Sequence, residues 1–259
     1  MAKNKSPKIL TVAAVRYLSP NMIRVTFQGP ELSNFPEHRE GANCKLLLPE
    51  PQESREAFLG RIKAGEKPTI RTYTVRHYRS SLKELDIDFV AHGDKGPASR
   101  WATHAKAGDF LGFFGPGLPK LTHFDADWYL LAADPSALPM LAAALEAMPD
   151  DATGVAIIEI TSEEDKLTLK APAGIEIKWL VHSDPHVPST QQQAVIRDLR
   201  WPDGRVQTCI AGETSAIRAI KQFIKQEKNV AAKDSYISGY WKIGLVEDEH
   251  QQMKRSEGN

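Results

Sequence analysis

Cysteine is scarce in this chain: there are two, Cys44 and Cys209, in 259 residues. They lie far apart and form no CxxC pair, so two buried free thiols are expected rather than a disulfide framework. A reducing, cytoplasmic compartment fits that usage. No stretch is apolar enough and long enough to cross a bilayer. The first residues, Met1 to Lys8, are polar and lack the apolar centre of a signal peptide. Neither sign of charge is in excess, the formal net charge being zero. That argues against general binding to nucleic acid, while leaving room for a local basic pocket that takes a small anion. No cluster of His, Cys, Asp and Glu has the spacing of a protein metal site, and there is no internal repeat. What remains is an ordinary globular composition, 41% hydrophobic and 25% charged, with length for two domains and apolar material for a core that needs no staple.

The first half reads as β. Alternating or β-branched runs predict strands over 8–15, 22–27, 44–48, 70–77, 85–92 and 109–114, with a Ser19-Pro20-Asn21 turn after the first. Residues 49–67 are charged and aperiodic, which predicts a surface excursion with a short helix. After Gly115-Pro116-Gly117 the pattern changes. Strands are expected over 128–133, 155–160, 176–181, 206–211 and 235–238, and helices over 137–148, 191–199 and from Thr214, whose hydroxyl can cap. Pro139 is tolerable in a first helical turn. Alternation of this kind means a parallel sheet with helices on both sides. The fold expected is an antiparallel, six-stranded-type β-barrel over 1–120, followed by a nucleotide-binding-like α/β domain over 121–259, with a hinge near 115–125. Ligands favour the cleft between two such domains and the carboxyl ends of parallel strands. Residues 247–259 are almost wholly polar and predict a solvated helix or a frayed tail.

The densest chemistry lies in Arg71-Thr72-Tyr73-Thr74. On a strand, Arg71 and Tyr73 share one face, Thr72 and Thr74 the other. A guanidinium suits a phosphate, a tyrosine ring can lie on a flat heterocycle, and a threonine hydroxyl can donate to a ring nitrogen such as flavin N5. The plain alternative is an edge strand with a β-favouring aromatic. Further on comes Gly96-Pro97-Ala98-Ser99-Arg100-Trp101. Gly96 permits close backbone approach, Pro97 suits a helix start, and Ala98 and Ser99 offer amides to an anion, with Arg100 adding charge. A simple capped helix is the alternative. The order of the two segments favours the reading in which the strand holds a flavin ring and the helix start holds its pyrophosphate.

The order and spacing of these segments resemble the siderophore-interacting proteins, ferric-siderophore reductases within the ferredoxin-NADP reductase superfamily. The matching stretches run from Gly41 to Pro49, Arg71 to Arg76, Asp88 to Ser99, Ala133 to Pro139, Ala211 to Glu213 and Gly239 to Gly244. The resemblance covers nearly the whole chain and implies FAD as cofactor and a ferric siderophore as substrate. By position it implies that Arg71, Thr72, Tyr73 and Thr74 hold the flavin, with Thr74 tuning N5, and that Val90 and His92 border it. Gly96, Pro97, Ala98 and Ser99 would take the pyrophosphate, with Trp101 nearby. His92 also reads as a strand-end histidine with a solvent-facing tip.

In the second half, Asp134 and the Ala211-Gly212-Glu213 turn stand where parallel strands end, the place for a donor nucleotide. No GxGxxG follows the first strand there. The resemblance leaves NADPH, NADH and reduced ferredoxin open as donors. Gly239-Tyr240-Trp241-Lys242-Ile243-Gly244 is expected to follow the last strand. It reads either as an aromatic plug with a solvated lysine, or as Trp241 or Tyr240 near the flavin and Lys242, with Lys45, attracting an anionic ferric chelate. His182, His186 and Glu163-Glu164-Asp165 read as solvated surface. Two other functions stay in view: a ferredoxin- or flavodoxin-NADP reductase whose partner is a redox protein, and a siderophore-binding protein without turnover.

Overall fold

A computed structural model describes residues 6–94 and 96–256. Lys95 and residues 1–5 and 257–259 lie outside the described residues. The chain forms two compact units, 1–119 and 120–259.

Unit one carries strands β1 (Lys8–Ser19), β2 (Met22–Gln28), β3 (Asn43–Leu48), β4 (Thr69–Thr74), β5 (His77–Arg79), β6 (Glu84–Val90) and β7 (Phe110–Phe114), with helices α1 (Arg55–Lys63) and α2 (Pro97–His104). They make one antiparallel sheet in the order β4-β3-β7-β1-β2-β6-β5. Sequence predicts one strand over 70–77; the structure breaks it at Val75-Arg76, for a reason visible in the backbone. Val75 exchanges hydrogen bonds with Gly41 and Ala42, each of 2.9 Å, whereas the Arg76 amide donates to Asp86 O, also at 2.9 Å. The run 69–79 thus leaves one edge of the sheet and joins the other. Counted as one bent strand, it makes the six-stranded-type closure. Inside, Val25, Phe27, Leu46, Ile87, Phe89 and Phe113 are buried, each from a different turn of the alternation.

The outer face of β2 and β6 holds a buried ionic cluster. Arg24 donates twice to Asp88, both at 2.7 Å, and Arg79 twice to Asp86, both at 2.7 Å. His77 accepts at Nε2 from Arg76 (2.6 Å), which leaves Nδ1 to face Asp86 at 3.4 Å. These pairs fasten the three-residue β5 to β6. The excursion 49–67 does contain the short helix expected. Ser54 caps α1 by accepting from the Ala57 amide (3.1 Å), and Phe58 is buried against Ile9 and Leu47.

Unit two carries β8 (Trp128–Ala133), β9 (Thr153–Ile160), β10 (Gly174–Val181), β11 (Val206–Glu213) and β12 (Ser235–Trp241), with α3 (Leu138–Ala147), α4 (Gln191–Asp198), α5 (Thr214–Phe223) and α6 (Glu247–Ser256). The sheet is parallel, in the order β10-β9-β8-β11-β12. Leu130, Ile157 and Ile210 pack under α4 and α5 with Ile196, Ile217 and Ile220. Cys209, one residue out of phase with Ile210, donates from Sγ to Met140 Sδ of α3 at 3.2 Å, so α3 covers the opposite face. Burial pushes the Cys209 thiol up to about 12 and the Cys44 thiol up as well, so both stay protonated at neutral pH.

β9 and β10 are joined, as the sequence pattern has it, without an α-helix, by a segment holding only a 3-10 turn over Glu163–Asp165. Two expectations need correction. The last strand runs on through Gly239, Tyr240 and Trp241 rather than ending at residue 238, because β11 continues to Glu213 beside it. Thr214 is the first helical residue of α5, not its cap; the cap is Glu213.

Candidate functional site

The candidate residues fall into two groups, one in each unit, and in unit two the strand order changes direction between β8 and β11. In unit one, Tyr73 of β4 packs on Phe89 of β6 with centroids 4.5 Å apart, and Trp101 of α2 packs on the same Phe89 at 5.8 Å. A single buried ring therefore joins the arginine strand to the helix start. Trp101 also stacks on Phe27 at 6.0 Å, so much of its surface anchors α2 to the barrel. Arg71 and Tyr73 are half-buried, and one Arg71 Nη donates to the Ile70 carbonyl at 2.8 Å. On the other face of β3 and β4, the Lys45 ammonium donates to the Thr72 hydroxyl. Thr74 is buried, and Val90 closes β6 opposite Met22.

Gly96 caps α2 without any side-chain hydrogen bond, and Pro97 occupies the first turn. The first intrahelical bond runs from the Arg100 amide to Gly96 O at 2.9 Å. The Ala98 and Ser99 amides precede that bond and so stand among the orphan donors of a helix start. The Ser99 hydroxyl is used within the loop: it donates to Gly93 O (2.8 Å) and accepts from the His92 amide (3.0 Å). His92 is exposed, and a Cβ on residue 96 would lie 2.6 Å from its Cε1. Any larger residue there would require the exposed His92 ring to swing aside. A guanidinium, a half-exposed aromatic face, and a helix start with no competing cap fit the phosphate and flat-ring chemistry of a flavin dinucleotide.

In unit two, Asp134 follows β8 and is buried. Its Oδ1 accepts from the Ser136 amide (2.9 Å), the Ser136 hydroxyl (2.6 Å) and the Ala137 amide (3.2 Å), and its Oδ2 from Trp241 Nε1 (2.6 Å). Burial raises its carboxyl above the usual range, against the pull of these bonds. Gly212 allows the Asp134–Trp241 link, since a Cβ there would stand 2.9 Å from the carboxylate. Glu213 Oε2 accepts from the Ser215 (2.7 Å) and Ala216 (3.0 Å) amides, and Oε1 from the Ile243 amide at 3.4 Å. Ala211 is buried in β11. Lys242, half-buried, donates to Met253 Sδ of α6 at 3.3 Å.

Two family models match along the chain: the siderophore-interacting FAD-binding domain over residues 11–120 and the siderophore-interacting protein over residues 126–244. Ferric vibriobactin reductase ViuB of Vibrio cholerae is 35% identical over 257 residues, which cover 96% of this chain and 94% of that one. This chain belongs to the siderophore-interacting protein family. Another relative is the ferric acinetobactin reductase of Acinetobacter baumannii, at 25% identity over 95% of this chain and 82% of the other. Among solved structures, the siderophore-interacting protein SipS from Aeromonas hydrophila superposes with a TM-score of 0.85 at 30% identity, covering 97% of this chain and 98% of its own. A ferredoxin-NADP+ reductase from Plasmodium falciparum shares the fold, with a TM-score of 0.65 at 14% identity over 90% of this chain and 96% of its own.

Within this member of the family, sequence alone does not single out Phe89, although it lies in the stretch from Asp88 to Ser99; a strand residue immediately before the candidate Val90 looks like core, and it is core. It also missed Glu159 of β9 and His250 of α6. His250 is 1% exposed and donates from Nε2 to the Thr214 hydroxyl at 2.9 Å, because that hydroxyl already spends its hydrogen on Trp241 O (2.8 Å). A histidine in a polar tail gives no sign of burial.

Proposed function

We propose that this chain is an FAD-dependent reductase of ferric siderophores that draws its electrons from a pyridine nucleotide. The observation that carries the reading is the meeting of Tyr73 and Trp101 on Phe89, which brings the arginine strand and the open start of α2 together. The 35% identity to ferric vibriobactin reductase supports the substrate class. Bound FAD supplies the change from a two-electron donor to one-electron steps, so one nicotinamide serves two ferric ions.

The chain's own residues bind and orient. Arg71 pairs with a phosphate, the Ala98 and Ser99 amides with the other end of the diphosphate, and the Tyr73 face with the ring; Thr74 sets the hydrogen bonding at N5. Gly96 and Pro97 shape the approach, and Val90 and His92 border the ring. Unit one takes the cofactor and unit two the donor, near Ala211 and Gly212. Asp134 and Glu213 serve there by holding Trp241 and α5 in place. Lys45 and Lys242 draw in the anionic chelate. No side chain need act as nucleophile or general base. Among the described residues no helix is long and apolar enough to cross a membrane.

Purified protein should be yellow and should convert a ferric siderophore to Fe(II), trapped by a ferrous chelator, with NADH or NADPH. A protein that cannot take up FAD ends the reading. Rates with each nucleotide and with reduced ferredoxin on one ferric substrate name the donor.

A further inference from the structure

The carboxyl edge of the parallel sheet carries one acid that nothing above has used. Glu159 is the penultimate residue of β9, the strand beside β8 on the side away from β11. Alternation with Val155 and Ile157 puts its side chain on the α4 face. Ser189, in the loop before α4, stands beside the Glu159 carboxylate. Its Oε2 is shielded and has no partner. Burial raises the Glu159 carboxyl, and Ser189 and His182 pull it back. Beside it, Gln192 Nε2 donates to Ala133 O (2.8 Å) and Ile157 O (3.3 Å), pinning the ends of β8 and β9 together. The loop above, 183–188, is exposed, and its Val187 carbonyl is held by His182 at 2.8 Å.

In doubly wound sheets a dinucleotide crosses the carboxyl edge at the switch point. An acid some twenty residues past the first turn takes the hydroxyls of its adenine ribose, whereas an arginine there takes a 2′-phosphate. Glu159 stands about that far past the end of β8 and in the matching strand. We propose that Glu159 receives the adenine-ribose hydroxyls of the electron donor and so selects NADH over NADPH. This rests on the reading of the sheet edge as a pyridine-nucleotide site. A vicinal diol brings two O–H donors, which suits a carboxylate with a vacant oxygen. The surroundings oppose a 2′-phosphate. Between residues 151 and 196 the sequence has no arginine and three lysines. Of these, Lys166 is tied to Glu163, Lys178 to Glu176 at 3.1 Å, and Lys170 is exposed. Glu163 and Glu164 stand exposed in the loop that leaves β9.

The test is calorimetry on the flavin-loaded protein with ADP-ribose and 2′-phospho-ADP-ribose, which lack the nicotinamide. ADP-ribose should bind at least about tenfold more tightly, the worth of a hydrogen bond to a charged group. Glu159→Gln should lose roughly that factor for ADP-ribose and narrow the ratio, while Ser189→Ala keeps the preference. Equal or tighter binding of the 2′-phosphate compound overturns the assignment, and this comparison needs only the wild-type protein. Unchanged ADP-ribose affinity in a folded Glu159→Gln overturns it too. Anaerobic bleaching of the flavin separates the two levels. Bleaching by NADPH in preference to NADH sinks this assignment alone; bleaching by neither sinks the pyridine-nucleotide reading with it.

Discussion

Asp134→Asn is the most searching single substitution in this structure, because it changes no volume and leaves no way to satisfy the site. The carboxylate accepts four hydrogen bonds, three at Oδ1 and one at Oδ2, all from donors. An asparagine oxygen kept toward Ser136 and Ala137 turns its NH2 against the indole N–H of Trp241. Flipped, the NH2 meets two backbone amides. One buried bond to a charged acceptor is lost, worth about 1.5–3 kcal/mol, and a donor is stranded at about 1–3 kcal/mol more. Burial, which raises the Asp134 carboxyl, argues for the lower part of that sum, roughly 2.5–4 kcal/mol. For a chain of this length that is roughly a 5–15 °C fall in melting temperature. The assay is a double-mutant cycle with Trp241→Phe, read by urea unfolding and near-UV circular dichroism. Removing the indole N–H removes the clash, so Asp134→Asn should cost at least about 1 kcal/mol less in the Phe background. Additivity within about 0.5 kcal/mol would refute the linkage. A variant that melts like wild type while its KM for the donor rises would mean that Asp134 touches the nucleotide directly instead.

Arg71→Ala should weaken FAD binding roughly 10- to 100-fold in a spectral titration, with Arg71→Lys recovering only part, since an ammonium cannot pair with a phosphate at two points; wild-type affinity would remove Arg71 from the cofactor site. In the barrel, burial tends to raise the Asp86 carboxyl, but hydrogen bonds from Arg79, His77 and Thr26 outweigh it and hold the group well below its ordinary range. Its contribution to stability is therefore present above the unfolded value, about pH 4, and is lost as pH falls toward the folded one. Melting curves between neutral pH and pH 3 should fall more steeply for wild type than for Asp86→Asn; parallel curves count against the cluster. Burial lowers the His250 imidazole, reinforced by Lys254 and Lys242 and opposed by Glu247 and Glu213. Docking of α6 should thus be firmest above about pH 6.5 and loosen as pH drops below it, seen as faster amide exchange over 247–256. Exchange that does not change with pH, once corrected for the intrinsic rate, would show that the histidine does not hold the helix.

The parts of this fold that sequence exposes are those set by local pattern. The strand over 128–133 is bounded correctly because a buried run stands between polar flanks. The helix over 191–198 follows its apolar spacing, with Ile196 buried. The failures share a cause, which is competition among neighbours or partners far away. Thr214 looks like a cap, yet the glutamate before it reaches two amides and the threonine goes to Trp241 and His250. Tyr73 and Thr74 were legible as candidates from strand alternation; that Tyr73 and Trp101 share Phe89 was not, since the contact depends on how the barrel closes. Asp134 was found for its position at a strand end. Its partner lies 107 residues away, so its actual bonds were out of reach of any local rule.

Those bonds also bear on the missing GxGxxG. A glycine-rich turn leaves the first amides of the next helix open so that a pyrophosphate can approach. Here the amides of Ser136 and Ala137 go to the Asp134 carboxylate, and those of Ala137 and Leu138 to the Asp134 carbonyl at 3.1 and 2.9 Å. An internal carboxylate thus occupies the anion position at the start of α3, and a second anion would meet both its charge and its prior claim on the donors. No glycine is required where no phosphate approaches. A donor crossing this edge must then be gripped elsewhere, which shifts the weight of recognition toward its adenosine end, over β9, where Glu159 keeps an acceptor in reserve.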